Sequence, residues 1–186
     1  RFVDAGGTLI TLGAATTLAS ETGIARPLSP HRTNTLFHPG SIVRVRVLQR
    51  RSPILYGYPD VTTVFRGNGP LFEVADRDSA FVVLQYGATK KVEHDEGPML
   101  GIPDTAPPAP HAKPDSTKAA PSREEAYVVS GMVRNEKEIV GEGAIFDVPV
   151  RGGRVIAFSF DPLHRFLNHH EFPLVWNALA NWNDRP

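Results

Sequence analysis

Apolar residues recur along this chain with two different periods, and the periods assign the elements. Ser41-Ile42-Val43-Arg44-Val45-Arg46-Val47 alternates apolar and basic side chains. That pattern predicts a strand with one buried and one wet face, at an edge or half-covered place in a sheet. Further strands are predicted at Thr8 to Leu12, Val61 to Phe65, Ala80 to Tyr86, Ala126 to Val129, Ala144 to Val150 and Arg154 to Phe160. The last of these is the most apolar, as a central parallel strand should be. Phe172 to Trp182 instead carries apolar residues at helical spacing behind Pro173, which predicts a closing helix over the sheet.

Between the first two strands, Gly13 to Glu21 reads as a turn into a short helix, ended by Gly23 and a proline-bearing loop from Arg26 to Pro30. Ahead of it, Arg1 to Gly7 reads as the last turn of an amphipathic helix stopped by glycine. A chain opening in that way is expected to be a piece of a longer one. Strands mixed with helices predict an α/β fold. Ser130-Gly131-Met132 and Gly141-Glu142-Gly143 read as turns.

From Pro98 to Ser122 the composition shifts to proline, alanine and small polar residues unable to build a core. Strands are predicted on both sides of it. The expectation is therefore a single domain over residues 1–186 with a flexible insertion at about 98–122, not two domains and a linker.

Charge narrows the choice of partner. Twenty Lys and Arg balance twenty Asp and Glu among 186 residues, so no global field draws the chain to nucleic acid or to an anionic membrane. The absence of cysteine removes disulfides, thiolate metal sites and cysteine nucleophiles. No apolar run approaches the roughly 20 residues of a membrane span, and the first residues lack a signal peptide's basic start and apolar body.

Candidate chemistry concentrates at two places. The turn after the first strand is where an α/β domain exposes a nucleophile, but here it reads Leu12-Gly13-Ala14-Ala15-Thr16, and alanine cannot attack. Thr16 or Thr17 is expected to cap the helix rather than to react. The second place is FDPLHRFLNHHEFP, residues 160–173, which holds three of the seven histidines. Zinc motifs need ligands on one face at set spacing. His164 plus three is Leu167, His169 plus three is Phe172, and the adjacent His169 and His170 point apart, so no metal site is predicted. Asp161, His164 and Arg165 fall beyond the carboxyl end of a strand, where open α/β sheets bind ligands. Two roles stand open for them: contact with a small ligand, or hydrogen bonds that fix the rim loops. His169, His170 and Glu171 are expected on the surface at the start of the closing helix. Arg44, Arg46, Arg50 and Arg51 read as a solvated face, and Tyr56 to Pro59 as a turn of packed aromatics or a sugar-contacting loop.

The ordered series FVDAGGTLITLG, HPGSIVRVRV, SPILYGYP, YVVSGMV, GGRVIAFSFDPLHR and FPLVWNALANW resembles the C-terminal accessory domain of bacterial zinc carboxypeptidase-like proteins. In those proteins a carboxypeptidase A-type metallopeptidase domain precedes a domain similar to class I glutamine amidotransferases. The resemblance covers nearly the whole chain apart from residues 98–122. It implies a flavodoxin-like three-layer sandwich with a mostly parallel sheet, truncated at its N-terminus. It also implies a secreted or periplasmic setting and a partner in the upstream catalytic domain or a second subunit. Active amidotransferases carry cysteine at the strand-to-helix turn where this chain has Ala14 and Ala15. The resemblance thus implies a noncatalytic accessory or assembly domain, with no cofactor in this chain and zinc only in the upstream peptidase domain. The alternative is a degenerate hydrolase-like pocket at Asp161, His164 and Arg165.

Overall fold

A computed structural model of the chain describes residues 1–31, 33–88 and 126–184. The predicted insertion at 98–122 lies outside the described residues. The elements in chain order are β1 (Thr8–Thr11), α1 (Ala15–Glu21), β2 (Ser29–His31), β3 (Ser41–Val47), β4 (Val61–Arg66), β5 (Leu71–Glu73), β6 (Val82–Tyr86), β7 (Val128–Gly131), β8 (Gly143–Val150), β9 (Gly153–Phe158) and α2 (Phe172–Ala180). Arg1 to Gly7 forms a single turn in which the Ala5 N–H donates to the Arg1 carbonyl at 3.0 Å. Ser130 and Gly131, expected in a turn, instead complete β7.

The main sheet runs β1-β9-β8-β6-β3-β4, with β7 also paired to β3. It is a mixed α/β sheet, and the expectation of a mostly parallel one is corrected: β1 with β9 is the one parallel pair among the described strands, while β9–β8, β8–β6, β6–β3, β7–β3 and β3–β4 are antiparallel. The reason is connection length. A parallel neighbour needs a crossover of roughly a dozen or more residues. Only Arg151 and Gly152 separate β8 from β9, with Arg151 in the left-handed region at φ +50°. Such a link can only fold back as a hairpin. With one parallel pair and two α-helices among the described residues, this sheet does not have flavodoxin-like topology.

β9 is buried at every residue from Gly153 to Phe158, which is why its sequence shows no alternation. Successive side chains nevertheless go to opposite faces. Ile156 and Phe158 join Val43, Val45, Leu84, Ile145 and the α2 residues Leu174 and Ala178 in one core cluster. Val155 and Ala157 join Phe146, Val148, Phe72 and Ala19 of α1 in the other. The sheet is therefore covered on both faces, by α2 on one side and by α1 with the β2–β5 pair on the other. Burying a side chain such as Phe158 or Leu174 contributes about 2 kcal/mol, so the two clusters carry much of the favourable term.

The alternation read in β3 is present, with Val43, Val45 and Val47 buried between half-buried Arg44 and Arg46. Of the two expected places the half-covered one fits and the edge does not: β3 has β4 on one side and β6 and β7 on the other. Alternation reports which face is covered, not how many neighbours a strand has. At Arg44 the two flanks of residues 89–125 meet, since the Gly87 N–H donates to the Arg44 carbonyl and the Arg44 N–H to the Tyr127 carbonyl, each at 2.8 Å. Strands on both sides of that segment thus belong to one sheet.

Two buried arginines brace this frame. Arg154, 2% exposed, donates to the Asp147 carboxylate at 3.1 Å and to the carbonyls of Asn181 and Asp184 at 2.7 Å each. A cation is favourable at the carbonyl-rich C-terminus of α2, and here it also ties that end to β8. Arg66, 1% exposed, donates to the carbonyls of Gly67 and Gly69 at 2.9 and 2.8 Å and lies over the Tyr86 ring at 5.4 Å.

Candidate functional site

Because β1 and β9 run parallel, their carboxyl ends open onto one rim. There the Gly13 N–H donates to the Phe160 carbonyl at 2.9 Å, and Gly13 adopts φ +53°, a left-handed turn that favours glycine. The turn between β1 and α1 thus lies against Asp161, where a nucleophile would be displayed. Ala14 and Ala15 occupy the exposed positions of that turn. The expected helix cap is corrected: Ala14 stands at the N-cap and no side chain caps α1. Thr16 is fully buried, its hydroxyl donating to the Phe158 carbonyl at 2.7 Å and lying 3.0 Å from the Thr11 hydroxyl. It fastens α1 to the end of β9 and is unavailable for attack.

The rim residues read from the sequence are close in the chain, yet no hydrogen bond or ion pair among the described residues joins their side chains. Asp161 is exposed, and its Oδ1 accepts the Leu163 N–H at 3.0 Å, an Asx turn that shapes its own loop. His164 stacks on Phe65 of β4, with centroids 4.7 Å apart and planes at 15°. Arg165 is exposed, and both it and Phe166 adopt left-handed backbone, φ +51° and +56°. Consecutive left-handed residues other than glycine are costly, so the packing of Phe166 on His169 and Phe172 must hold them. None of the three lines the cleft of about 590 Å³ between Arg1–Asp4, Arg26 and Arg151, or that of about 370 Å³ between Gln49, Phe81 and Arg154.

The expectation of surface positions for the following residues is corrected for Glu171. It is 1% exposed, and its Oε1 accepts the N–H of Phe65 at 2.6 Å. Next to it, the His170 ring nitrogen Nε2 lies 2.9 Å from the Thr63 carbonyl, a contact that requires a proton on Nε2. The Tyr58 hydroxyl donates to the His170 carbonyl, which ties the Tyr56 to Pro59 turn to the start of the closing helix. Tyr56 stays exposed. β4 has no further strand beside it among the described residues, so the side chains of His170 and Glu171 close its free edge. His169 remains on the surface, its ring contacting the Phe166 carbonyl at 3.0 Å.

Burial dominates the titration of this region. It pushes the Glu171 carboxyl up to about 8, with a further push from Asp161 against opposing hydrogen bonds from Phe65 and Asn168. Burial likewise raises Tyr58 to about 12. Nearby, burial and then the charge of Arg66 hold the His38 imidazole down at about 4. Sequence reading passed over Arg66, Tyr86, His38, Ser159 and Arg154. Their burial depends on strands that meet across the sheet, such as the 2.9 Å contact between the Tyr86 and Ser159 hydroxyls. No group of three or more metal-ligating side chains occurs among the described residues. Comparison with family models, curated proteins and solved structures finds no match to this chain.

The pH dependence of stability follows from Glu171 and His38. A carboxyl raised from 4.5 to about 8 on folding contributes stability that is full below pH 4.5 and lost as pH rises toward 8. A histidine lowered from 6.5 to about 4 contributes stability that is full above 6.5 and lost as pH falls toward 4. The two oppose each other between 4.5 and 6.5. Above that Glu171 acts alone, so denaturant unfolding should show stability falling by about 2 kcal/mol between pH 6.5 and 8. Glu171→Gln keeps an acceptor for Phe65 and should flatten that slope. An unchanged slope in the variant would assign it elsewhere.

Proposed function

We propose that this chain is a noncatalytic accessory or assembly domain of a secreted, zinc carboxypeptidase-like protein, whose peptidase activity and zinc reside in a separate upstream domain. The observation that carries the reading is the β1–α1 turn. The position that would display a nucleophile holds Ala14 and Ala15, and the nearest hydroxyl, on Thr16, is buried in bonds to the sheet. An amidotransferase-like ancestry is supported by that turn and by the parallel β1–β9 pair beside it. A noncatalytic role is supported further by the rim, where Asp161, His164, His170 and Glu171 all serve loops or β4. A fold shared with hydrolases carries no hydrolysis without the reacting groups. The partner in this reading is the catalytic domain or a second subunit, not nucleic acid or membrane. No helix among the described residues is long and apolar enough to cross a bilayer.

The purified chain should release no ammonia from glutamine, hydrolyse no C-terminal peptide bond and carry no stoichiometric zinc in elemental analysis. Turnover of either substrate, or zinc lost on replacement of His164, would overturn the reading.

One observation favours the second reading, a small-ligand site at the rim. Arg165 is exposed on strained left-handed backbone, and such strain collects at functional sites. The two readings separate on Arg165→Gly. If the rim is structural, glycine relieves the strain and raises stability by about 1 kcal/mol with no functional loss, measured by thermal and urea unfolding. Loss of binding to a small carboxylic acid titrated into the wild type would favour the ligand site.

A further inference from the structure

Buried polar side chains in folded proteins are almost always hydrogen-bonded. Among the described residues five buried side-chain atoms have no partner, and two of them, the Ser52 hydroxyl and the Arg154 Nε, belong to residues that line one cleft. Ser52 is fully buried and Arg154 is 2% exposed. The cleft measures about 370 Å³, within the range of small-molecule sites, about 300–1,000 Å³.

The ladder of the sheet makes this cleft. β6 starts at Val82, opposite Phe146, so Asp147 to Val150 of β8 run on with β9 on one side and no strand on the other among the described residues. The second wall is the turn after β3, held by bonds from the Leu48 N–H to the Val83 carbonyl at 3.0 Å and from the Gln49 side chain to the Ala80 carbonyl at 2.6 Å. Each unpartnered atom belongs to a residue whose other groups are committed. The two terminal nitrogens of Arg154 are spent on the Asp147 carboxylate and the carbonyls of Asn181 and Asp184, which leaves Nε with a proton and no acceptor. Ser52 stands just before the short helical turn Pro53–Leu55, where a serine side chain ordinarily caps. Here its backbone carbonyl accepts the Leu55 N–H at 3.0 Å, and the hydroxyl makes no cap. Leaving buried donors unsatisfied is costly, and a ligand that pairs with both recovers that cost.

We propose that this cleft binds a small uncharged amide with an apolar body. Charge selects the class. The guanidinium keeps its proton, but Asp147 at 3.1 Å already balances it, and a carboxylate ligand would face that anion. Two-pronged recognition of a carboxylate also needs two free N–H groups on the arginine, and one remains. An amide carbonyl accepts from a single Nε–H, while the Ser52 hydroxyl either donates to the same oxygen or accepts the amide N–H. Phe81, Val83 and Pro149 supply an apolar wall for the rest of the molecule. No histidine among the described residues lines the cleft, so Ser52 has no base beside it and the site binds without reacting. The site is separate from the rim and does not depend on the accessory role proposed above.

Benzamide is the probe, with benzoate as its charged counterpart. Titrated into the whole chain and followed by NMR, benzamide should shift the amides of Phe81, Val83 and Gly153 and the Arg154 Nε–H resonance, with half-saturation at roughly 1 mM. Benzoate should bind roughly tenfold more weakly. Ser52→Ala should weaken benzamide binding about fivefold to tenfold and leave the melting temperature of the ligand-free protein unchanged or higher, since the hydroxyl it removes is unpaired. Ala80→Trp, at an exposed position on the lip, should abolish binding with the fold intact. Resonances unmoved by excess benzamide, equal binding of benzoate, or either variant binding like the wild type would overturn the inference. A lower melting temperature in ligand-free Ser52→Ala would overturn it too, because the hydroxyl would then have a partner in the free protein.

Discussion

A β-sheet ends where its backbone groups lose their partners, and among the described residues of this protein the β4 end is closed by two side chains rather than by another strand. Glu171 accepts the Phe65 N–H and His170 donates to the Thr63 carbonyl. Residues 106 or more positions apart in the chain are thereby joined. Around this contact the rim is assembled: His164 stacks on Phe65, Tyr58 holds the His170 carbonyl, and α2 begins at the next residue, Phe172. Desolvating a carboxyl is costly, and keeping it protonated near neutral pH is the cheaper solution. Within the cluster of polar residues that looks chemical in the sequence, His164, His170 and Glu171 form, in space, a seam between the closing helix and the sheet.

This arrangement separates what the sequence made legible from what it could not. Period-two and apolar runs placed β3, β4, β6, β8 and β9 because burial of a face or of both faces leaves a local trace. Pro173 marked the start of α2 because its fixed backbone suits a first helical turn. Strand direction left a weaker trace: the Arg151-Gly152 link between β8 and β9 is the one local sign that the sheet would not be mostly parallel. The β2–β5 pair was illegible since Ser29 to His31 is too short to show a period and contains proline. Glu171 read as a surface residue because its partner, the Phe65 amide, is a backbone group that no sequence pattern marks.

Asp161, His164 and Arg165 do lie at a strand's carboxyl rim beside the β1–α1 turn. Their own contacts are with a local amide, an aromatic ring and strained backbone, not with one another. Chemistry needs groups that converge on a reacting atom, and the convergence here is on the edge of β4. Alanines occupy the turn beside that rim, and the Thr16 hydroxyl is fastened to the Phe158 carbonyl.

The most direct test of this account is the hydrogen exchange of the Phe65 amide. On an unprotected edge strand an outward amide exchanges quickly, whereas one bound by a buried carboxyl exchanges only when the seam opens. The account predicts strong protection of Phe65 in the native protein and its selective loss in Glu171→Ala, with the β9 amides still protected. Fast exchange of Phe65 in the native protein would contradict it.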